Sequence, residues 1–208
     1  MKNKKGLPLI IFGAVLILFA GVFALYNIYE SNNAGKKAEE AASHMLGLID
    51  EAKDEIDSYT KNEEVEFIPD YILNPEMDMP AKEIDGYRYI GVLEIPSLRI
   101  TLPVLQSWSN SLLKVAPCRY EGSAYTGGLI IAAHNYSSHF ANIKNLQQGE
   151  LLYFTDTVGN SFEYAVAYQE SLKATDIEEM KAGDWDMTLF TCTPGGQFRV
   201  TVRCVKVR

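Results

Sequence analysis

Cys192 and His134 are residues whose types and setting suit nucleophilic catalysis. Cys192 ends the run Thr188–Cys192, in which an apolar strand leads into the turn Thr193-Pro194-Gly195-Gly196. Because only the thiolate attacks efficiently and an unperturbed cysteine has a pKa of about 8.5, the thiol needs an imidazole or a cation nearby. His134 follows another apolar run 58 residues upstream, and Arg199 lies seven residues downstream. The pattern predicts a cysteine nucleophile assisted by a histidine and an arginine.

Strand alternation indicates which side chains can share a face with the thiol. In the strand predicted over Phe198–Val207, Arg199 and Arg203 fall on one face and Cys204 on the other. Arg199 is thus expected to point toward the site, and Cys204 into the core. Arg203 is the alternative arginine if the turn after Cys192 is placed differently.

The part of the chain that carries these groups has the sequence pattern of a β domain, with short strand-like runs separated by turn residues. Strands are predicted over 89–95, 99–104, 128–133, 151–155, 161–170, 187–192 and 198–207. Helix is predicted only as a turn around Glu178–Met180, inside the long connection Ser171–Asp186. Short strands at this spacing predict an antiparallel barrel or sandwich, and about 120 residues suffice for one hydrophobic core.

The first 30 residues predict a membrane anchor. Leu7–Tyr26 is a 20-residue run without a charge, and Lys2, Lys4 and Lys5 precede it. As a helix, such a run spans about 30 Å, enough to cross the hydrocarbon core of a bilayer. Because positive charge stays on the cytoplasmic side, we expect a single-pass protein with its N-terminus inside and its catalytic domain outside. A cleaved signal peptide is the alternative, although its apolar core is usually only ~7–15 residues long.

Residues 31–85 are predicted to connect the anchor to the β domain. An apolar stripe at helical spacing comprises Ala38, Ala42, Met45, Ile49, Ala52, Ile56 and Tyr59. A coiled coil is one use of this stripe, but its alanines make a weak seam, so we expect the helix to dock onto the catalytic domain. Prolines at 69, 75 and 80 indicate an extended linker. The predicted division is 1–30 for the cytoplasmic stub and anchor, 31–85 for the helical and extended linker, and 86–208 for the catalytic domain.

Composition argues against several classes of function. The net charge is −8 although the N-terminal lysines are positive, so we expect no nucleic-acid binding. Three cysteines leave at least one free thiol, and Cys118 and Cys204 are either separate buried thiols or a pair. His139 forms a His-x₄-His pattern with His134, but no third ligand or dedicated calcium loop accompanies it. We therefore expect no metal and no other cofactor.

The sequence resembles the sortases, which are membrane-anchored cysteine transpeptidases of Gram-positive bacteria. Thr188–Cys192 fits the family's TLxTC signature, His134 closes a strand, and an arginine follows in the strand after the cysteine. Tyr89–Pro96, followed by Leu102–Val104, also looks like the family's opening strands. The resemblance implies a mainly β protein with a sortase-like eight-stranded β-barrel, preceded by an N-terminal transmembrane helix and an amphipathic helix.

The resemblance also implies a reaction and its partners. Cys192 would form a thioester with a motif of the LPxTG kind near the C-terminus of an exported protein, and an amine on a peptidoglycan precursor or another protein would resolve it. His134 would transfer protons, and Arg199 would donate hydrogen bonds to the oxyanion or the substrate backbone. The residues implied to line the peptide groove are Ala132, Thr188 and Phe190.

Three alternatives stay open from the sequence. Pilin-polymerising sortases commonly carry an Asp-Pro-aromatic lid and a second anchor, whereas this chain has Asn74-Pro75-Glu76 and no second apolar run. That difference favours an enzyme that anchors proteins to the cell wall. A membrane-anchored cysteine peptidase would need the same Cys192 and His134. A non-catalytic surface protein would need the anchor and the barrel but not the thiol.

Overall fold

The computed structural model describes residues 6–63 and 67–207. The strands are β1 Lys82–Ile84, β2 Tyr87–Ile95, β3 Ile100–Leu105, β4 Cys118–Ser123, β5 Gly127–Ala133, β6 Leu151–Asp156, β7 Ser161–Lys173, β8 Met187–Cys192 and β9 Phe198–Lys206. The α-helices are α1 Leu7–Glu63, α2 Asp70–Leu73 and α3 Ile177–Lys181.

Strands β2 to β9 close into an eight-stranded barrel, which confirms the predicted fold. Their order is β2-β3-β4-β5-β8-β9-β7-β6, and β6 pairs with β2 to complete the ring. Neighbouring strands are antiparallel except for the pairs β3–β4 and β5–β8, which run parallel. A barrel of eight strands is just wide enough for its interior to be filled by side chains. Here Leu93, Phe154, Phe162 and Leu189 belong to that buried core.

Two strands escape the sequence-based prediction. The short β1 pairs with β2 through a turn at Asp85 and Gly86, whose φ values of 50° and 78° suit a two-residue hairpin. Strand β1 thus lies just before Gly86, where the catalytic domain is expected to begin, and the barrel itself starts with β2 at Tyr87. Strand β4 pairs with β5 through two register irregularities, and these bulges remove the period-two alternation by which a strand is recognised.

Helix α1 joins the predicted anchor and the predicted amphipathic helix into one element of 57 residues. At 1.5 Å per residue it is about 85 Å long. Its N-terminal part is apolar and unpacked, and it is long and apolar enough to cross a membrane. The lysines at 2, 4 and 5, on which the expected orientation depends, lie outside the described residues.

The second half of α1 docks onto the barrel, as the stripe predicted. It packs along β2 and β3. Its buried residues are Ala34, Ala38, Ala41, Ala42, Met45 and Ile49. Four of these six residues are alanines, whose small side chains leave little bulk between the helix and the sheet. Beyond Ile49 the contact loosens, since Ala52 and Ile56 are half-buried and Tyr59 is exposed.

The proline-containing segment after α1 is packed rather than free. Met79 is buried in the barrel core, and the ring of Tyr71 stacks on Tyr125 with centroids 4.7 Å apart. The hydroxyl of Thr157 donates to the carbonyl of Pro80 at 3.1 Å. In its described part this linker is therefore packed against the barrel.

Candidate active site

Cys192 and His134 emerge side by side because β5 and β8 are parallel. The register aligns Ala133 of β5 with Thr191 of β8. The residues that come next, His134 after β5 and Cys192 at the end of β8, therefore lie at the same edge of the barrel. Adjacent strands lie about 4.8 Å apart. The hydroxyl of Thr191 donates to the carbonyl of Ala133 at 2.8 Å, which ties the two strand ends together.

Arg199 reaches the same edge from the opposite side of β8. Strands β8 and β9 are antiparallel, and their register places Arg199 across from Cys192. The connecting turn needs the left-handed conformation at Gly195 and Gly196, whose φ values are 86° and 73°. The guanidinium Nη1 of Arg199 donates to the carbonyl of Gly196 at 2.9 Å, so the arginine is braced by its own turn. Three adjacent strands thus bring the three predicted groups together.

These three side chains line one groove of about 310 Å³. One wall is aromatic, because the ring of Tyr120 lies 5.4 Å from the rings of both Trp108 and Phe190. Another wall comes from α3, through Ile177 and Met180. A larger open groove of about 800 Å³ lies between α1 and β3, but it contains no cysteine or histidine. The smaller groove is therefore the candidate site.

Of the three groove-lining residues implied by the resemblance, two line the groove and the third, Thr188, is buried. Ala132 and Phe190 are paired in register and line the groove. Thr188 is only 2% exposed, and its hydroxyl accepts a hydrogen bond from Arg203 at 3.1 Å. Its assignment to peptide binding stays a prediction. Sequence reasoning missed Tyr120 because the bulges in β4 conceal that strand.

Arg203 shares the strand face of Arg199 but occupies a different environment. It is 2% exposed, and its Nε donates to the carboxylate of Glu170 at 2.8 Å. Its Nη1 and Nη2 donate to the carbonyls of Met180 and Glu179, each at 2.6 Å. Arg203 therefore holds the end of α3 against the barrel and does not line the groove, which leaves Arg199 as the arginine beside Cys192.

Replacing Arg203 by methionine should destabilise the fold. Methionine keeps much of the volume but leaves the two α3 carbonyls without a donor and the half-exposed Glu170 without its partner. We expect a loss of about 2–3 kcal/mol and a Tm lower by roughly 10 °C. Thermal unfolding followed by circular dichroism checks this, with Arg199→Met as the matched control. Equal Tm values for the two variants would contradict the structural role of Arg203.

His134 is half-buried at the end of β5, and its surroundings set its charge. Burial lowers the pKa of His134 below its usual value, the nearby Glu30 carboxylate opposes this shift, and Lys114 adds to it. The ring of Tyr136 lies 4.9 Å from the imidazole and 5.4 Å from the ring of His139. The ring of Tyr136 is therefore an aromatic neighbour of both imidazoles.

His139 should make the protein sensitive to acid. It is fully buried, and burial together with the nearby His134 lowers its pKa to about 4, against a partial opposing effect from the backbone of Ala34. The unfolded chain therefore binds the proton first as the pH falls from 6.5 toward 4, and stability is lost across that window, on the order of 3 kcal/mol. Urea unfolding at several pH values should show a flatter dependence for His139→Phe. An unchanged slope, equal to that of the exposed control His44→Phe, would contradict this expectation.

The three cysteines are unpaired, so Cys118 and Cys204 are separate buried thiols and not a disulfide pair. Both are buried, and burial raises the pKa of each thiol to about 12. Cys192 is half-buried and opens onto the groove. Of the three thiols, it is therefore the one that a ligand can reach.

Comparison with known proteins gives a consistent result. The family described as "Sortase domain" matches residues 93–207, more than half of the chain. The curated "Sortase A" of Bacillus anthracis is 28% identical over 206 residues, covering 91% of this chain and 89% of that protein. Among solved structures, sortase C1 of Streptococcus suis is 26% identical with a TM-score of 0.52, covering 58% of this chain and 73% of that one. Clostridium perfringens sortase C with the C-terminal cell wall sorting motif shares the fold, at 24% identity and a TM-score of 0.52, over 88% of this chain and 99% of that one.

Proposed function

The chain belongs to the sortase family, and from this we propose that it is a membrane-anchored cysteine transpeptidase acting on an LPxTG-like sorting motif. Its product is an exported protein joined through an amide bond to a peptidoglycan precursor, and thereby attached to the cell wall. The observation that carries the proposal is that Cys192, His134 and Arg199 line one groove at one edge of the barrel.

The first half of the reaction forms a thioester. The Cys192 thiolate attacks the carbonyl carbon of the scissile peptide bond, and the carbonyl oxygen becomes an oxyanion. As the tetrahedral intermediate collapses, the C–N bond breaks and the His134 imidazolium gives its proton to the departing amine. The substrate is left as an acyl group on Cys192, and His134 is left neutral.

The second half transfers the acyl group. An incoming amine attacks the thioester carbonyl and loses a proton to the neutral His134. The C–S bond then breaks, which restores the Cys192 thiolate and the imidazolium. The peptide bond broken is replaced by the amide formed, so no external energy source is needed. Water in place of the amine would give hydrolysis, which is the peptidase alternative.

Arg199 is proposed to stabilise the oxyanion or orient the substrate backbone with N–H groups of its braced guanidinium. Arg199→Ala should lower kcat/KM by about 10²–10³-fold, because a preorganised donor is removed. Arg199→Lys should recover little of this activity, since a point charge does not reproduce the planar fork. Ligation kinetics check the expectation, with Arg203→Met as comparison at a temperature where it stays folded. Near-normal activity of Arg199→Ala would contradict it.

The groove suits an extended apolar peptide. Trp108, Tyr120 and Phe190 offer an aromatic wall, and Ala132 leaves room at the floor. The Clostridium perfringens sortase C of the same fold is described with its C-terminal cell wall sorting motif, which supports a motif of this kind as the substrate here. The implied role of Thr188 in binding the peptide is part of the same proposal.

The N-terminal part of α1 is proposed as a single-pass anchor, with the N-terminus in the cytoplasm and the barrel outside the cell. Its apolar, unpacked surface and its length support this placement. Tethering concentrates the enzyme where membrane-bound substrates and lipid-linked amines are found, so weak affinity for the free peptide suffices.

The test is ligation in vitro. The full chain in detergent is incubated with LPxTG-like peptides alone, with a glycine-based amine, or with a pilin-type protein that offers lysine side chains, and the products are identified by mass spectrometry. The proposal expects a thioester adduct and an amine-dependent ligated product. Cleavage without incorporation of the amine would favour the peptidase, and ligation only to a lysine side chain of a pilin-type protein would favour the pilin-polymerising alternative.

A further inference from the structure

Glu30 is the first charged residue after the uncharged run of α1, and it is bonded to the barrel. Its carboxylate lies 2.7 Å from the ammonium group of Lys114. The Glu30 side chain is 25% exposed and that of Lys114 is 54% exposed. Lys114 ends a short 3₁₀ turn in which Leu113 lines the candidate groove. An ion pair this exposed contributes little to folding stability. Its interest lies in its position, between α1 and the turn that borders the candidate groove.

The same part of α1 lies against the loop that begins at His134. The hydroxyl of Ser138 donates to the carbonyl of Ser31 at 3.3 Å. At Gly35 the approach is so close that a Cβ atom would lie 2.8 Å from the Cβ of Ser138. The glycine therefore permits a contact that any other residue would push apart. Helix and loop are therefore in contact at two successive turns of α1, at Ser31 and at Gly35.

Charged and titratable groups face His134 from several elements. Glu30 comes from α1, Lys114 from the 3₁₀ turn, Tyr136 and His139 from the loop itself, and Cys192 and Arg199 from across the groove. Glu30 is the anionic group among those that influence the pKa of His134, and it favours the protonated ring, whereas burial and Lys114 disfavour it.

We propose that Glu30 is a positioning residue of the catalytic site: the docked helix and the ion pair with Lys114 together hold its carboxylate close to the imidazole of His134. This inference rests on the proposed function, in which the imidazolium donates a proton. The membrane anchor then has a second use, since the turn that follows its apolar run also supports the catalytic histidine.

The experiment compares Glu30→Gln with Lys114→Gln in the full chain, in phospholipid nanodiscs. Both variants break the same ion pair, so a purely structural effect would change His134 in one direction. The proposal expects opposite directions: the His134 titration moves to lower pH in Glu30→Gln and to higher pH in Lys114→Gln. The titration is followed by NMR of ¹³C-labelled histidine, with His134 assigned by its loss in His134→Ala. Glu40→Gln, an exposed position of the same helix, is the matched control.

For Glu30→Gln we expect kcat to fall by roughly fivefold at pH 7. KM should change little, because the substitution affects the imidazole of His134 and leaves the aromatic wall of the groove intact. Shifts in the same direction for both variants, or a Glu30→Gln titration equal to that of Glu40→Gln, would overturn the proposal. The two proposals fail separately. If the wild type ligates no peptide, the proposed function fails, and the titration still decides the role of Glu30.

Discussion

Cys192→Ala is expected to abolish both the thioester adduct and ligation, lowering the rate by roughly 10⁴-fold or more. The remaining groups of the groove can bind a peptide, but none of them can form the covalent intermediate. Intact-mass spectrometry of the enzyme after incubation with peptide detects the adduct, and chromatography of the products measures the rate.

The matched controls for this variant are the two other thiols. Cys118→Ala and Cys204→Ala remove buried groups whose pKa values are raised to about 12, so both should still form the adduct. Alkylation by iodoacetamide should likewise modify Cys192 alone in the folded chain. Adduct formation by the Cys192→Ala variant would show that the nucleophile lies elsewhere and would remove the basis of the proposed function.

His134→Ala should lower kcat/KM for a peptide by about 10²–10⁴-fold, the usual contribution of a positioned acid–base group. An amine must be protonated before it can leave the tetrahedral intermediate. The alkoxide of an acidic alcohol can leave without a proton. A depsipeptide with an activated ester at the scissile bond should therefore lose much less rate in the variant. Paired assays of the amide and the ester substrate measure this difference.

The position of His44 supplies a control for the histidine prediction. It is exposed on α1, and His44→Ala should match the wild type on both substrates. Equal losses for amide and ester in His134→Ala would mean that the imidazole does not protonate the leaving group. Its contribution would then lie in forming the thiolate or in orienting the peptide.

The closeness of the anchor helix to the groove has a consequence for substrates. Glu30 lies four residues beyond the uncharged run Leu7–Tyr26 of α1, and the His134 loop contacts the helix at Ser31. A proposed membrane span that ends at this point keeps the groove within a few helical turns of the bilayer surface. Such a placement suits a sorting motif on a protein still held in the membrane and an amine carried on a lipid.

Local patterns in the sequence predicted the candidate catalytic groups of the site. A strand ending in Cys192 and the glycine turn after it depend only on neighbouring residues, and strand parity assigned Arg199 and Cys204 to opposite faces. The uncharged run Leu7–Tyr26 identified a helix able to span a membrane by length and composition alone. The apolar stripe at helical spacing likewise predicted that the second half of α1 would dock onto the barrel.

Other features depend on residues far apart in the chain. The parallel pairing of β5 with β8 brings His134 beside Cys192 across 58 residues, and no local pattern encodes that pairing. Strand β4 was hidden because its bulges break the alternation, so the aromatic wall at Tyr120 was hidden with it.

The choice between Arg199 and Arg203 shows the same division between sequence and tertiary structure. Both arginines lie on the strand face that the sequence predicts. Arg203 is bonded to carbonyls of α3, whereas Arg199 lines the groove. The sequence alone predicted the candidate nucleophile, the strand faces and the apolar span, because those follow from the residues of a single element. The tertiary structure decided which groups meet, because strand pairing and helix docking are selected by burial of the whole core.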